Sequence, residues 1–178
     1  MLARETVLAA LSRLSEELGK RGITGELNIV GGTAMVLAFN TRSSTKDVNA
    51  IFEPSAKIRS AALQVATDLG LPVDWLNDAA KGFLSPVGDF QEIESLDLPH
   101  LRVQGPTAEY MLAMKVMAAR SSLSGARGDA DDIAFLIRLL GLKDSESVLE
   151  IVSRYYDPTR ILPRSIYLVD EILEQLNP

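Results

Sequence analysis

The chain has 178 residues, 47% of them hydrophobic, no cysteine and a single histidine, His100. That is enough for one domain with a substantial core, and it excludes disulfides, thiolate sites, multi-histidine metal centres and two-histidine catalysis within one chain. A net charge of −6 and a pI near 4.9 exclude the broad basic grip of a non-specific nucleic-acid binder, so DNA is not an expected partner.

Residues 4–18 carry Val7, Leu8, Leu11, Leu14 and Leu18 on one stripe and predict an amphipathic helix. Gly19, Gly22 and Gly25 break it. Residues 27–30 read as a strand, Gly31-Gly32 as a tight turn, and 33–39 as a short apolar helix. A polar loop over 40–44 leads to a second strand, 47–52. Pro54 closes that strand, and a helix over 55–69 ends at Gly70. Residues 72–76 read as a third strand, and 77–105 as short strands and turns. Beyond Pro106 the pattern is helical over 107–121, 129–141, 144–156 and 163–176, with Pro163 suited to a first turn. The expectation is one α/β (α+β) domain, with an α/β front over 1–105 and a helical tail over 106–178. No apolar run reaches the roughly 18 residues of a membrane span. The N-terminal residues carry acids at helical spacing and do not read as a signal peptide, so the expected address is cytoplasmic.

Five stretches carry candidate chemistry. In VGGTAMVLAF, a strand runs through Gly31 and Gly32 into a helix. Backbone N–H groups there suit a phosphate, and Thr33 adds a hydroxyl or a cap; a plain strand-to-helix turn reads the same way. In TKDVNAIF, Asp47 and Asn49 are two apart on a strand and share a face, with Val48, Ala50 and Phe52 on the other. Two oxygen donors on one strand face suit Mg²⁺, or equally a half-exposed edge strand. In LPVDWL, Asp74 is a carboxylate in an apolar strand, needing a partner if buried; the plain reading turns it outward. In EYMLAMKVMAAR, Lys115 is the only charge between Glu109 and Arg120. It either snorkels to the surface or enters a polar cavity, where a phosphate would suit it. In RGDADDIAFLIRLLGL, Asp129, Asp131 and Asp132 open a helix, which favours acids there. Asp129 and Asp132 share a face, and one of them is placed to reach Lys115 or a metal.

Taken in order, VGGTAMVLAF, STKDVNAIF, MLAMKVMAAR and RGDADDI resemble nucleotidyltransferase-like bacterial proteins, the group that includes AbiEii-type and MenT-type toxins. The resemblance spans about residues 26–142 and is nearest to the short members of that group. It implies the fold of the polymerase β-type transferases: a mixed sheet with flanking helices, followed here by a helical bundle. It implies that Gly31 and Gly32, with Thr33, hold a triphosphate. Asp47 would hold Mg²⁺ or Mn²⁺ together with Asn49, and Asp74 would stand at the place of a third carboxylate. Lys115 would contact phosphate, and Asp129 or Asp132 would complete the site. The implied function is transfer of a nucleotide from an NTP to a hydroxyl of RNA, such as the 3′ end of tRNA, or of a protein, by the toxin of a toxin–antitoxin pair. Arg42, Lys46, Lys81, Arg120 and Arg127 are candidates for a local basic mouth. One departure matters: the second acid of the group's Asp-x-Asp pair is Asn49. Two-metal transfer relies on acids to hold both ions. The alternative is therefore a catalytically degenerate scaffold that binds a partner protein, such as a cognate antitoxin.

Overall fold

The computed structural model describes residues 1–93, 96–119 and 127–176. The chain divides into two compact units, Met1–Gly82 with Phe90–Pro106, and Phe83–Asp89 with Thr107–Pro178.

The first unit is α/β. Helix α1 (Arg4–Lys20) places Glu5 in its first turn and Lys20 in its last, each at the end whose backbone dipoles favour its charge. Its stripe of Val7, Leu11, Leu14 and Leu18 is fully buried. Each such leucine contributes up to about 2–3 kcal/mol by leaving water, and Leu14→Ala would cost about 2–5 kcal/mol. A five-stranded mixed sheet follows, built from β2 (Gly25–Ile29), β4 (Val48–Glu53), β5 (Leu76–Asn77), β6 (Phe90–Glu92) and β7 (Leu101–Pro106) in the order β5-β4-β2-β7-β6. The pairs β2/β4 and β6/β7 are antiparallel, and β2/β7 and β4/β5 are parallel.

Period-two patterning decides which face is covered. Leu27, Ile29, Val48, Ala50, Phe52, Leu101 and Val103 lie on one face and are buried. A Cβ on Gly25 of that face would meet Leu18 of α1 and Ile58 of α3 (Ser55–Leu69), so those two helices cover it. Glu26, Asn28, Asn49, Ile51, Glu53, Arg102 and Gln104 lie on the other face, partly or wholly exposed. Gly70 ends α3 in the left-handed region, at φ 63°, which glycine adopts without a steric penalty.

Two local readings of the sequence need correction. Residues 72–76 do not form a strand: 73–74 are a turn, and β5 is only Leu76–Asn77. Trp75 anchors that stretch, its ring buried and its Nε1 donating to Ala62 O at 3.0 Å. The loop before Asp47 also holds a short strand, β3 (Ser44–Thr45), antiparallel to β1 (Leu2–Ala3).

The second unit is helical. Helix α4 (Ala108–Ala118) is apolar around its circumference apart from Glu109 in its first turn and Lys115, and it packs on α5 (Arg127–Leu140), α6 (Ser145–Tyr155) and α7 (Pro163–Leu176). Thr107 caps α4 by accepting from Tyr110 N–H, and Asp144 caps α6 by accepting from Ser147 N–H. Residues 83–89 belong to this unit because side chains hold them there. Tyr110 Oη accepts from Ser85 N–H at 3.0 Å, and Tyr155 Oη and Thr107 Oγ1 both donate to Asp89 Oδ2, at 2.8 and 2.9 Å. Tyr156 donates to Phe83 O, and Ser85 to Tyr155 O. Burial pushes the phenols of Tyr110, Tyr155 and Tyr156 upward, with Tyr155 reaching about 12. Among the described residues, no helix is long and apolar enough to cross a membrane.

Candidate functional site

Asp47 stands one residue before β4, so its carbonyl has no place in the strand ladder. Two hydroxyls satisfy it instead: Thr33 Oγ1 donates at 2.9 Å and Thr45 Oγ1 at 3.0 Å. Thr33 is fully buried, and its oxygen also accepts from Asn49 N–H at 3.3 Å. One side chain in the first turn of α2 (Gly31–Leu37) therefore fixes both ends of the Asp47–Asn49 step.

Gly31 and Gly32 are the first two residues of α2, not a turn ahead of it, and Val30 is the extended cap. Gly31 adopts φ 61°, where a Cβ is strained. A Cβ on Gly32 would stand 2.9 Å from Thr45 Oγ1, so this glycine lets the Thr45 hydroxyl reach Asp47. The β1/β3 pair, with Arg4 N–H donating to Ser43 O at 3.0 Å, holds the segment that carries Thr45.

The Asp47 carboxylate is half-buried and flanked by two amides. Asn49 Nδ2 donates to Oδ1 at 2.7 Å, and Asn77 Nδ2 donates to Oδ2 at 3.0 Å. The second contact follows from register, because Asn49 and Asn77 are partners across β4 and β5. Asn77 is latched, its Oδ1 accepting Ala79 N–H at 3.0 Å and its Nδ2 also donating to Asp74 O at 3.2 Å. Sequence reasoning passed over Asn77 in favour of Asp74. Asp74 lies in the exposed turn and meets the cluster only through its backbone carbonyl. Asp78, next along, is held by Arg59 at 2.7 Å; that hydrogen bond and charge keep its carboxyl below the usual range.

Lys115, Asp129 and Asp132 come together within the helical unit. Lys115 Nζ lies 2.8 Å from Asp129 Oδ1 and 2.7 Å from Asp132 Oδ2. Lys115 neither snorkels nor stands alone, because Asp129 and Asp132 of α5 both meet it. Gly128 is helical in the first turn of α5. Of the basic candidates, Lys46 and Lys81 are exposed and Arg42 is half-buried. Arg120 and the side chain of Arg127 lie outside the described residues.

The donor chemistry bears on a metal. Among the described residues, no group of three or more His, Cys, Asp or Glu is arranged to hold an ion. Asp47 is the one carboxylate of its cluster, and both neighbours present N–H groups to it. A single hard cation arriving with a triphosphate fits this set, since Mg²⁺ is commonly held by one or two carboxylates plus substrate phosphates and waters. A pair of ions does not fit it, because acids would be needed where the amides stand. No family model matches the chain, and comparison with curated proteins and with solved structures gives no match.

Proposed function

We propose that the chain is a Mg²⁺- or Mn²⁺-dependent nucleotidyltransferase with the fold of the polymerase β-type enzymes. It would move a nucleotide from an NTP to a hydroxyl of RNA, such as the tRNA 3′ end, or of a protein, as the toxin of a toxin–antitoxin pair. The observation that supports this best is the Thr33 bridge. It joins the Gly31-Gly32 backbone to the Asp47 step, so that a phosphate-compatible backbone and a carboxylate share one corner of the sheet. On this reading the Gly31-Gly32 segment accommodates the phosphates. Asp47, with Asn49 beside it, would hold the cation, which would neutralise charge on the triphosphate. The acceptor oxygen attacks the α-phosphorus, pyrophosphate leaves, and the acceptor proton passes to Asp47 or to water. The test is incubation with Mg²⁺ or Mn²⁺, α-labelled NTPs and total tRNA. Label is expected on RNA or on protein, and Asp47→Ala should abolish it.

A second reading is favoured by the amides themselves. Both oxygens of Asp47 already accept hydrogen bonds, as suits a site that has lost its chemistry and survives as a scaffold for a partner protein such as an antitoxin. The scaffold predicts no Mg²⁺-dependent rise in melting temperature with any NTP, whereas the transferase predicts one. Absence of label from both the native chain and Asn49→Asp, with all four NTPs, would leave the scaffold as the surviving reading.

A further inference from the structure

We infer that Arg4 is an anion-binding residue, and that the ribbon of β1 and β3 takes a phosphate group there. Arg4 is half-buried, and its Nη1 is wholly covered yet has no hydrogen-bond partner. Among the described residues, no carboxylate stands within 4 Å of its guanidinium. Other arginines of this unit are paired: Arg21, Arg59 and Arg102 each meet an acid, at 2.9, 2.7 and 2.8 Å. Arg13 Nη1 also lacks a hydrogen bond, but carboxylates stand 3.5 and 3.7 Å from it. A guanidinium stays charged inside a protein, so burying one without an acid is a standing cost. The place of Arg4 adds to that cost. It is the first residue of the 17-residue α1, at the positive end of the helix, where a cation is unfavourable. Glu5 follows it but is exposed. One anion offsets both costs. Register then supplies a second donor. Arg4 N–H donates to Ser43 O at 3.0 Å, which carries the Leu2–Thr45 and Ala3–Ser44 pairing one step further and sets Arg4 opposite Ser43. Ser43 is exposed and adds a hydroxyl beside the planar fork of the guanidinium. Such a fork matches the oxygens of a phosphate, whether a nucleotide or an RNA backbone carries it. Arg4 stands outside the Asp47 cluster, and the inference does not depend on nucleotide transfer.

The experiment uses the full chain without divalent metal. Calorimetry measures binding of tripolyphosphate, ATP and a single-stranded RNA oligonucleotide, and melting temperatures are compared with those in sodium chloride of equal ionic strength. Arg4→Met keeps the apolar stem and removes the charge. Arg4→Lys keeps the charge and loses the fork. The native chain is expected to bind at least one probe and to be stabilised by it. Arg4→Met should weaken that binding by about tenfold or more, and Arg4→Lys by less. In chloride alone, Arg4→Met should melt at or above the native temperature, because an unpaired charge has left a half-buried place. A structural arginine would not behave so. Weakening toward tripolyphosphate and ATP supports the inference and assigns the phosphate to a nucleotide; weakening confined to the oligonucleotide supports it and assigns the phosphate to an RNA backbone. The inference is overturned if no probe binds the native chain, if Arg4→Met binds as tightly as the native chain, or if Arg4→Met melts well below it in chloride.

Discussion

Replacing Lys115 with Met tests whether this lysine is primarily a structural pin. Lys115 and Asp132 are 8% and 3% exposed, and the ammonium touches both Asp132 and Asp129 at under 3 Å. At an effective dielectric near 20 each contact represents roughly 6 kcal/mol of gross attraction. Desolvation of the charges cancels much of it. Removing the lysine removes the attraction but leaves Asp132 buried, so the loss is expected near the low end of the roughly 3–5 kcal/mol seen when a buried pair is broken. Asp129, with its side chain 34% exposed, rehydrates and adds little. Methionine retains the apolar stem, which separates lost charge from lost packing. Urea unfolding followed by far-ultraviolet circular dichroism gives the stability difference. Lys115→Met combined with Asp132→Asn should recover part of the loss, because the buried carboxylate charge is then gone. A single variant within about 0.5 kcal/mol of native would refute the pin. The lysine would then be free to serve a phosphate, in place of holding two acids.

Three further outcomes follow from the geometry. Thr33→Val removes one hydroxyl that serves both Asp47 O and Asn49 N–H, and should cost about 1–3 kcal/mol in thermal unfolding. Gly32→Ala drives a methyl onto Thr45 Oγ1 and should cost about 1–3 kcal/mol, with part of the loss returned when Thr45 is changed to Ala as well. The phenol of Tyr155 is raised to about 12 by burial and by its bond to Asp89, so its folded value lies above its unfolded one. Its contribution is therefore complete below about pH 10 and is lost as pH rises from about 10 to 12. Chemical denaturation across that window should show stability falling, and Tyr155→Phe should be less stable at neutral pH and flatter with pH. An unchanged slope in the variant would remove Tyr155 from the cause.

Helices and the two main strands were legible because burial alone sets their periodicity. The stripe of α1, the break at Gly70 and the Val48–Ala50–Phe52 alternation each follow from one face meeting the core. The segment 72–76 misled because Val73, Trp75 and Leu76 look like a strand core, yet Val73 is 74% exposed and the indole hydrogen bond fixes a turn. The β1/β3 pair, two residues a side, is too short to carry a pattern. Residues 83–89 look like an ordinary loop. Their place in the helical unit depends on tyrosines about 25 to 73 positions away in sequence, and hydropathy does not reveal such pairing.

The candidate site divides along the same line. Asp47 and Asn49 were legible as a pair because a two-residue spacing on a strand is a local fact. Thr33 was legible as a hydroxyl near the glycines, but the carbonyl it serves lies 14 positions away. Asn77 was not legible at all. A search for charge along the third strand selects Asp74, whereas register brings the amide of Asn77 to the carboxylate and leaves Asp74 in an exposed turn. Register is a property of two strands together, so a one-dimensional search for acids overestimates the charge of this site. The Asp47 cluster is one carboxylate among four uncharged polar side chains, Thr33, Thr45, Asn49 and Asn77. Such a set can orient a polar ligand with or without a metal.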